Sequence, residues 1–217
     1  MYKTVVFDLD GTLLNTLTDL ADAGNRLCRK YGWPTHERLA YRYFVGNGIP
    51  KLVERLAPAD QRTPAVLEAA LADFKRDYGQ HLRDTTAPYP GIPEMLAKLK
   101  ANGVQLAVFS NKADALAKEV VKDYFGTQYF MIVRGQMTGV APKPAAEGTN
   151  ALLQALHADP ASTLYVGDSN VDVETAHNAN LPCCGAVWGF RTREELNAAG
   201  AEYLAENSDE LYDVIMK

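Results

Sequence analysis

Short apolar segments alternate with amphipathic segments along most of the chain. Five apolar runs have the length and residue types of buried strands, at residues 5–7, 104–109, 129–133, 163–166 and 183–187. Four segments with helical periodicity lie among them, at residues 92–100, 145–157, 171–179 and 208–216. Buried strands that alternate with helices of this length predict an α/β fold with a doubly wound parallel sheet.

One long stretch, residues 16–87, interrupts this alternation with helical signals and no convincing strand. Its last part, from residue 84 onward, has the composition of a linker that continues to Gly91. We therefore predict an α/β core of residues 1–15 and 88–217, with a helical module of residues 16–87 inserted after the first strand.

Capping residues indicate where several helices begin. Thr63 and Pro64 are the predicted N-cap and first residue of a long helix that ends near Leu82. Pro93 marks the start of helix 92–100. Ser208 is the predicted N-cap of the last helix.

Composition and charge narrow the class of protein. The chain has 217 residues, 47% hydrophobic and 23% charged, as is ordinary for a globular protein. Its net charge of −5 and the lack of a basic block argue against nucleic acid or a membrane surface as a partner. No apolar run approaches the roughly 20 residues of a spanning helix. The first residues have no signal-peptide layout, so we expect a cytoplasmic protein, a monomer or a homodimer.

The three cysteines, Cys28, Cys183 and Cys184, argue against a disulfide framework because their number is odd. The adjacent pair lies in a predicted strand, so we expect two small buried side chains rather than a redox site.

Asp8 and Asp10 directly follow the first predicted strand. Side chains two residues apart on a strand share a face, and two acids crowded there are costly unless a cation or shared proton compensates them. Gly11 and Thr12 then break the strand. This pair predicts a metal-dependent site in which one acid has a chemical role.

Other polar residues follow the remaining strands. Ligands of open α/β sheets bind beyond the carboxyl ends of the strands, where all these residues converge. They are Ser110-Asn111-Lys112 after the second strand, the loop 134–136 and later Lys143 after the third, and Asp168 and Asp172 after the fourth.

Four motifs in this order resemble those of the haloacid-dehalogenase-like superfamily of phosphotransferases. They are DxDGT at residues 8–12, Ser110-Asn111, Lys143-Pro144 and GDSxxD at residues 167–172, and the resemblance covers essentially the whole chain. It implies the superfamily's Rossmann-like core. It also implies that Asp8 attacks phosphorus to form an aspartyl-phosphate and that Asp10 is the general acid and base. Dehalogenases and phosphonatases of the superfamily usually lack the second acid, so its presence favours a phosphatase.

The resemblance also implies Mg²⁺ as the cofactor. Asp8 and Asp168 would bind it through their side chains, and Asp10 through its backbone carbonyl. Asp172 would orient the lysine of the third motif or a metal-bound water.

The phosphoryl group has its own implied ligands. Ser110 and the backbone of Asn111 would donate hydrogen bonds to its oxygens, and Lys143 would neutralise its charge.

The helical module of residues 16–87 resembles the small α-helical cap of this superfamily. Such a cap closes over the active site and excludes water, which favours small phosphorylated metabolites as substrates. Asn15 lies at the predicted hinge, where many relatives have an aspartate.

Within the cap, Gly46-Asn47-Gly48 precedes a helix that begins near Pro50 and resembles the corresponding turn of bacterial phosphoglycolate phosphatases. Such a turn can present N–H groups to an anion, although an ordinary interhelical turn remains an alternative. Lys51 and Arg42 are nearby cations for a substrate carboxylate. The stretch Trp188–Thr192 also resembles those enzymes.

We therefore predict a Mg²⁺-dependent phosphatase that acts on a small phosphate monoester, with 2-phosphoglycolate as the leading candidate. Alternatives within the superfamily are another sugar-phosphate or nucleotide phosphatase, a pyrophosphatase or a β-phosphoglucomutase-like phosphotransferase. Ile49 weakens the mutase alternative because those enzymes tend to have an arginine there. A phosphoacceptor signalling module is the alternative from another class. In such a module the phosphoaccepting aspartate follows a middle strand and no helical insertion is present. In this chain the acids follow the first strand, and residues 16–87 form an insertion.

Overall fold

The computed structural model describes all residues, 1–217, in two compact units. The core unit consists of residues 1–14 and 88–217, and the helical unit of residues 15–87. The first crossing between them therefore lies one residue before the predicted boundary, and the second lies at the predicted position. None of the helices combines the length and the apolar character needed to cross a membrane.

Strands and helices alternate through the core unit. The strands are β1 (Thr4–Phe7), β2 (Leu14–Asn15), β3 (Ala87–Pro88), β4 (Gln105–Ala113), β5 (Phe130–Gln136), β6 (Thr163–Gly167), β7 (Cys183–Ala186) and β8 (Tyr203–Ala205). The helices are α1 (Leu17–Tyr31), α2 (Tyr41–Phe44), α3 (Ile49–Leu56), α4 (Pro64–Gln80), α5 (Ile92–Ala101), α6 (Asp114–Phe125), α7 (Ala146–Leu156), α8 (Asn170–Asn178), α9 (Arg193–Ala199) and α10 (Ser208–Met216).

Six parallel strands form the main sheet in the order β5-β4-β1-β6-β7-β8. Strand β1 is central, and its last residue, Phe7, aligns with Val108 on β4 and with Val166 on β6. The predicted doubly wound α/β fold is confirmed. The chain moves from β1 to β4 on one side and later to β6 on the other, so the crevice beyond β1 is a topological switch point. Strands β2 and β3 form a separate two-stranded sheet where the chain leaves and re-enters the core unit.

The sheet is apolar on both faces, which is why its central strands lack polar alternation. Val6, Ala107 and Tyr165 belong to a core cluster with the apolar side chains of α7, α8 and α9. On the other face, Phe7 packs edge-on against Phe130, with ring centroids 6.5 Å apart. Burial of each large apolar side chain stabilises the fold by about 1.5–3 kcal/mol.

Two strands continue beyond their predicted ends. Strand β4 runs through Ser110–Lys112 to Ala113, and its pairing with β5 resumes at Ala113 and Gln136 after an irregularity. The predicted strand end at Phe109 and the predicted loop 134–136 are therefore wrong. The two strands pair again at Ala113 and Gln136 although the side chains before this point become polar.

The structure corrects one predicted cap and confirms another. Thr63 accepts a hydrogen bond from the Val66 N–H and caps α4 as predicted. The prediction of Ser208 as an N-cap is wrong, because the Asn207 side chain accepts from the Asp209 and Glu210 N–H groups. Helices α6 and α9 and strand β8 were not predicted from the sequence pattern.

All three cysteines are free and buried, as predicted for the adjacent pair. Burial raises the pKa of Cys28 to about 11 and that of Cys184 to about 12. Thiols of this kind remain protonated near neutral pH, so they are poor nucleophiles.

In the helical unit, α1 packs against α4 and α2. Gly24 lies in the middle of α1 because a Cβ there would collide with the ring of buried Tyr41. Glycine weakens a helix interior, and this close approach explains why it is present.

Asp19 fastens α1 to the last segment of the helical unit. Its Oδ1 accepts from the Thr85 N–H at 2.9 Å and from the Thr85 hydroxyl at 2.5 Å. Its Oδ2 accepts from the Thr86 N–H at 2.9 Å and from the Thr86 hydroxyl at 2.7 Å. The carboxylate is only 2% exposed, so these four bonds replace its hydration.

We expect Asp19→Ala to lower the free energy of unfolding by about 2–4 kcal/mol, because four donors lose their acceptor in a buried site. Urea denaturation followed by circular dichroism measures the change. Asp22→Ala on the exposed part of the same helix is the matched control and should change stability by less than about 0.5 kcal/mol. Equal effects of the two substitutions would contradict the anchoring role of Asp19.

Candidate active site

The residues that follow β1 diverge toward different partners. The Asp8 N–H donates to the Val166 carbonyl oxygen at 2.8 Å, which continues the sheet by one residue. Asp8 Oδ1 lies 2.9 Å from the ammonium of Lys143, whereas the Asp10 carboxylate lies beside Lys112. Gly11 follows with a φ of +91°, a conformation that favours glycine.

Lys143 lies at the centre of the buried charges. Its Nζ is 2.9 Å from Asp8 Oδ1 and 2.7 Å from Asp172 Oδ1, and its side chain is 1% exposed. Burial alone lowers the pKa of Lys143, but the carboxylates of Asp172 and Asp8 outweigh it and hold that pKa well above its usual value. The lysine is therefore a permanent cation in this site.

The backbone of Lys143 is held by Asn111. The Lys143 N–H donates to Asn111 Oδ1 at 2.9 Å, and Asn111 Nδ2 donates to the Lys143 carbonyl oxygen at 3.3 Å. The Lys143-Pro144 peptide is cis. The sequence resemblance implied a role only for the backbone of Asn111. These two side-chain hydrogen bonds were not predicted. Neighbouring Ser110 is buried, and its Oγ accepts from the Lys112 N–H at 3.3 Å.

Asp168, just beyond β6, is enclosed by loops. Its Oδ1 accepts from the Thr12 hydroxyl at 3.0 Å, and its Oδ2 accepts from the Phe190 N–H at 2.7 Å. A Cβ at Gly11 or at Gly189 would collide with this side chain. Only glycine allows the two loop backbones to approach the carboxylate this closely.

The stretch around Trp188 also connects two loops of the site. The Trp188 indole N–H donates to the Thr12 carbonyl oxygen at 3.0 Å. The loop after β7 is thereby fastened to the loop after β1. Sequence analysis noted this stretch only for its resemblance and did not identify the Thr12 and Phe190 contacts with Asp168.

Asp172 lies in the first turn of α8, where the helix dipole favours a carboxylate. Its Oδ2 accepts from the Ser169 N–H at 3.1 Å and from the Ser169 hydroxyl at 2.6 Å, which completes a capping box. Its Oδ1 contacts Lys143, so both oxygens have protein partners. The structure thus contains the Asp172–Lys143 contact that the sequence motif suggested.

Three carboxylates are close enough to bind one metal ion. One oxygen each of Asp8, Asp168 and Asp172 lies within 4.8 Å of the others. Both oxygens of Asp172 and both oxygens of Asp168 accept hydrogen bonds from protein groups, so these bonds do not select the ligands. The motif resemblance implies Asp8 and Asp168. Burial is the main cause that raises the pKa of Asp8 to about 6, and Asp172 adds to it while Lys143 opposes it. Burial, Asp172 and Asp8 raise the pKa of Asp168 well above its usual range.

The charges of the site leave room for a divalent cation. Four carboxylates, of Asp8, Asp168, Asp172 and Asp10, face two ammonium groups, those of Lys143 and Lys112. When all four carboxyl groups are ionised, two negative charges remain uncompensated, and this excess and the all-oxygen donors fit Mg²⁺. The Asp10 side chain does not belong to the three-carboxylate cluster. The resemblance implies that Asp10 binds the metal through its backbone carbonyl, and this bond does not require the side chain to lie in the cluster.

Lys112 was placed at this edge of the sheet by its sequence position, but no role was predicted for it. Its Nζ lies 3.0 Å from Asp10 Oδ1 and 3.3 Å from Asp10 Oδ2, and its side chain is 2% exposed. One signal was present in the sequence. Ser110 and Lys112 are two residues apart on a strand, so their side chains share a face.

The candidate turn of the helical unit is held by Arg55. Gly46 and Gly48 have φ values of +104° and +82°, and Gly48 is the N-cap of α3. The Arg55 guanidinium donates to the Phe44 carbonyl oxygen at 2.8 Å and to Asn47 Oδ1 at 2.9 Å. Because arginine only donates, the oxygen of the Asn47 amide faces it and the NH₂ group is the turn's side-chain donor.

The two cations predicted near this turn lie on different helices. Lys51 forms an exposed ion pair with Glu54 at 2.7 Å, so its ammonium already has a carboxylate partner. Arg42 lies in α2 and is half-buried.

Comparisons with known proteins agree with this geometry. The family model of the haloacid dehalogenase-like hydrolases matches residues 5–186. A phosphoglycolate phosphatase of Vibrio vulnificus (strain YJ016) is 31% identical over 222 residues, which cover 99% of this chain and 96% of that protein. A phosphoglycolate phosphatase of Thiobacillus denitrificans is 31% identical over 191 residues, 87% of this chain and 84% of that protein.

A solved structure from Lactobacillus delbrueckii subsp. bulgaricus superposes with a TM-score of 0.93 at 28% identity, over 99% of this chain and 98% of that one. The matched region includes every motif at the carboxyl edge of the sheet. These similarities favour an enzyme over the alternative of a phosphoacceptor signalling module. The chain therefore belongs to the haloacid dehalogenase-like hydrolases, and within them it is similar to phosphoglycolate phosphatases.

Proposed function

We propose that the protein is a Mg²⁺-dependent phosphatase that hydrolyses 2-phosphoglycolate through an aspartyl-phosphate on Asp8. The observation that carries the proposal is the buried Asp8 carboxylate at the end of the central strand, beside Lys143 and within ligand distance of Asp168. The phosphoglycolate phosphatases at 31% identity support the choice of substrate.

Asp8 is the nucleophile in this proposal. Its carboxylate oxygen forms a bond to phosphorus while the bond from phosphorus to the ester oxygen breaks. Lys143 and the Ser110 hydroxyl stabilise the charge on the transferred phosphoryl group. When bound between Asp8 and Asp168, Mg²⁺ would supply the positive charge that lets one anion attack another.

Asp10 moves the protons. It gives a proton to the ester oxygen as the alcohol leaves, and it then takes one from the water that attacks the aspartyl-phosphate. That attack releases inorganic phosphate and restores Asp8. Proton transfer by a positioned carboxyl group typically contributes about 10²–10⁴-fold to the rate.

The turn Gly46–Gly48 contributes to substrate selectivity in this proposal. Arg55 holds the oxygen of the Asn47 amide, so the NH₂ group of that amide is the donor that the turn offers to an anionic or hydroxylated group.

We expect Asp8→Asn to reduce phosphate release from 2-phosphoglycolate by at least about 10³-fold, because the amide cannot attack phosphorus. A colorimetric phosphate assay at saturating Mg²⁺ measures the loss. Asp213→Asn, an exposed position in α10, is the control and should retain full activity. Retention of most activity by the Asp8 variant would exclude an aspartyl-phosphate at this residue.

We expect Mg²⁺ to raise the melting temperature, because it compensates the crowded carboxylates only in the folded state. At a concentration well above its dissociation constant, the rise should be about 2–4 °C for each kcal/mol of stabilisation. Asp168→Asn should remove most of this rise, and Asp213→Asn should preserve it. Differential scanning calorimetry makes the test independent of turnover. An undiminished shift in the Asp168 variant would place the ion elsewhere.

We expect Asn47→Ala to change the ratio of kcat/KM values between 2-phosphoglycolate and neutral alkyl phosphates by about tenfold, with the Mg²⁺ dependence unchanged. Loss of one hydrogen bond to an anionic group has about this magnitude. Gln80→Ala, on the exposed end of α4, is the control within the same unit. An unchanged ranking across a panel of phosphorylated metabolites would leave the turn without a role in selectivity.

A further inference from the structure

Lys112 is a buried cation to which the proposed reaction assigns no task. Its ammonium contacts both oxygens of Asp10, at 3.0 and 3.3 Å. The lysine side chain is 2% exposed, whereas that of Asp10 is 20% exposed. A molecule that reaches the open part of the Asp10 carboxylate therefore also approaches this ammonium.

We propose that Lys112 is a specificity-determining residue that binds a carboxylate next to the ester oxygen of the substrate. The inference rests on the proposed function and deepens it, because it defines the substrate class as phosphate esters of α-hydroxy acids. 2-Phosphoglycolate is the smallest member of this class.

The positions of the reacting atoms place the substrate carboxylate near Asp10. As general acid, Asp10 must come within hydrogen-bond distance of the ester oxygen, about 2.6–3.2 Å. In 2-phosphoglycolate a single methylene group separates this oxygen from the carboxylate. The substrate carboxylate therefore lies within a few ångströms of Asp10, the residue that Lys112 contacts.

The charges of the substrate and of Asp10 require a cation at this place. A substrate carboxylate beside Asp10 brings two like charges together, and this is unfavourable unless a cation lies between or beside them. Lys143 is already held by Asp8 and Asp172 on the side of the phosphoryl group. Lys112 is in direct contact with Asp10, and its burial strengthens its attraction for an anion relative to a surface lysine.

Lys51, one of the two cations that the sequence suggested in the helical unit, is a weaker candidate. The Lys51 side chain is 45% exposed and pairs with Glu54, so an additional carboxylate would gain little from it. A buried ammonium on a core strand discriminates better between a charged and a neutral substrate than a solvated one does.

The test compares 2-phosphoglycolate with ethyl phosphate, which has the same carbon chain length but no carboxylate. We expect the ratio of their kcat/KM values to fall by about 10- to 100-fold in Lys112→Gln, because a charge-assisted hydrogen bond to one substrate only is lost. Lys112→Arg should restore part of the ratio since it keeps the charge. Lys118→Gln, at an exposed lysine on α6, is the control and should leave the ratio unchanged.

A binding measurement separates recognition from chemistry. In the Asp8→Asn background, we expect Lys112→Gln to weaken binding of 2-phosphoglycolate by at least about tenfold more than binding of ethyl phosphate, by isothermal titration calorimetry. Circular dichroism melts of each variant establish that it is folded.

The outcomes distinguish this inference from the proposed function. If wild-type protein prefers 2-phosphoglycolate and Lys112→Gln keeps that preference while both rates fall, Lys112 merely positions Asp10 and the inference is overturned alone. If wild-type protein shows no preference for 2-phosphoglycolate over ethyl phosphate, the proposed substrate fails, and the inference fails with it.

Discussion

A buried ammonium must be surrounded by opposite charge, and this requirement organises the carboxyl edge of the sheet. Lys143 satisfies it with Asp8 at 2.9 Å and Asp172 at 2.7 Å. Removal of one partner from a buried ion pair typically costs about 3–5 kcal/mol. The three side chains come from the end of β1, the loop before α7 and the first turn of α8. They meet only because β1 and β6 are neighbours in the sheet, so the strand order and the charge cluster depend on each other.

The same cluster is not arranged for stability alone. When all four carboxyl groups are ionised, the two ammonium groups of Lys143 and Lys112 leave two negative charges uncompensated in a largely buried site. Backbone groups moderate this excess, as the Phe190 N–H does for Asp168, but hydrogen bonds do not neutralise a charge. A fold optimised only for stability would replace such carboxylates with neutral groups. Their retention is what is expected where a divalent cation and an anionic substrate complete the charge balance.

The sequence predicted best those features that depend on side-chain burial. Strands β1, β6 and β7 are apolar runs, and their bounds differ from the predicted ones by one residue at most. The predicted strand β4 ended too early, at Phe109, because hydrophobic patterns record which side chains are apolar, whereas the strand extends through polar residues and pairs with β5 again at Ala113. The convergence of Asp8, Lys143 and Asp168 followed from motif order at the strand ends. The partner of Lys112 could not be read from the chain, since its ion pair is with a residue 102 positions away.

The polar end of β4 contacts both Lys143 and Asp10. Asn111 points to the Lys143 backbone, and Lys112 on the following position points to Asp10. Side chains alternate along a strand, so Asn111 lies on one face of this segment, and Ser110 and Lys112 share the other. A shift of one residue in the pairing of β4 would exchange these two faces, which would move Lys112 away from Asp10 and the Asn111 amide away from the Lys143 backbone. The irregular pairing with β5 between Phe109 and Ala113 lies at this segment, where the register of the strand fixes the chemistry.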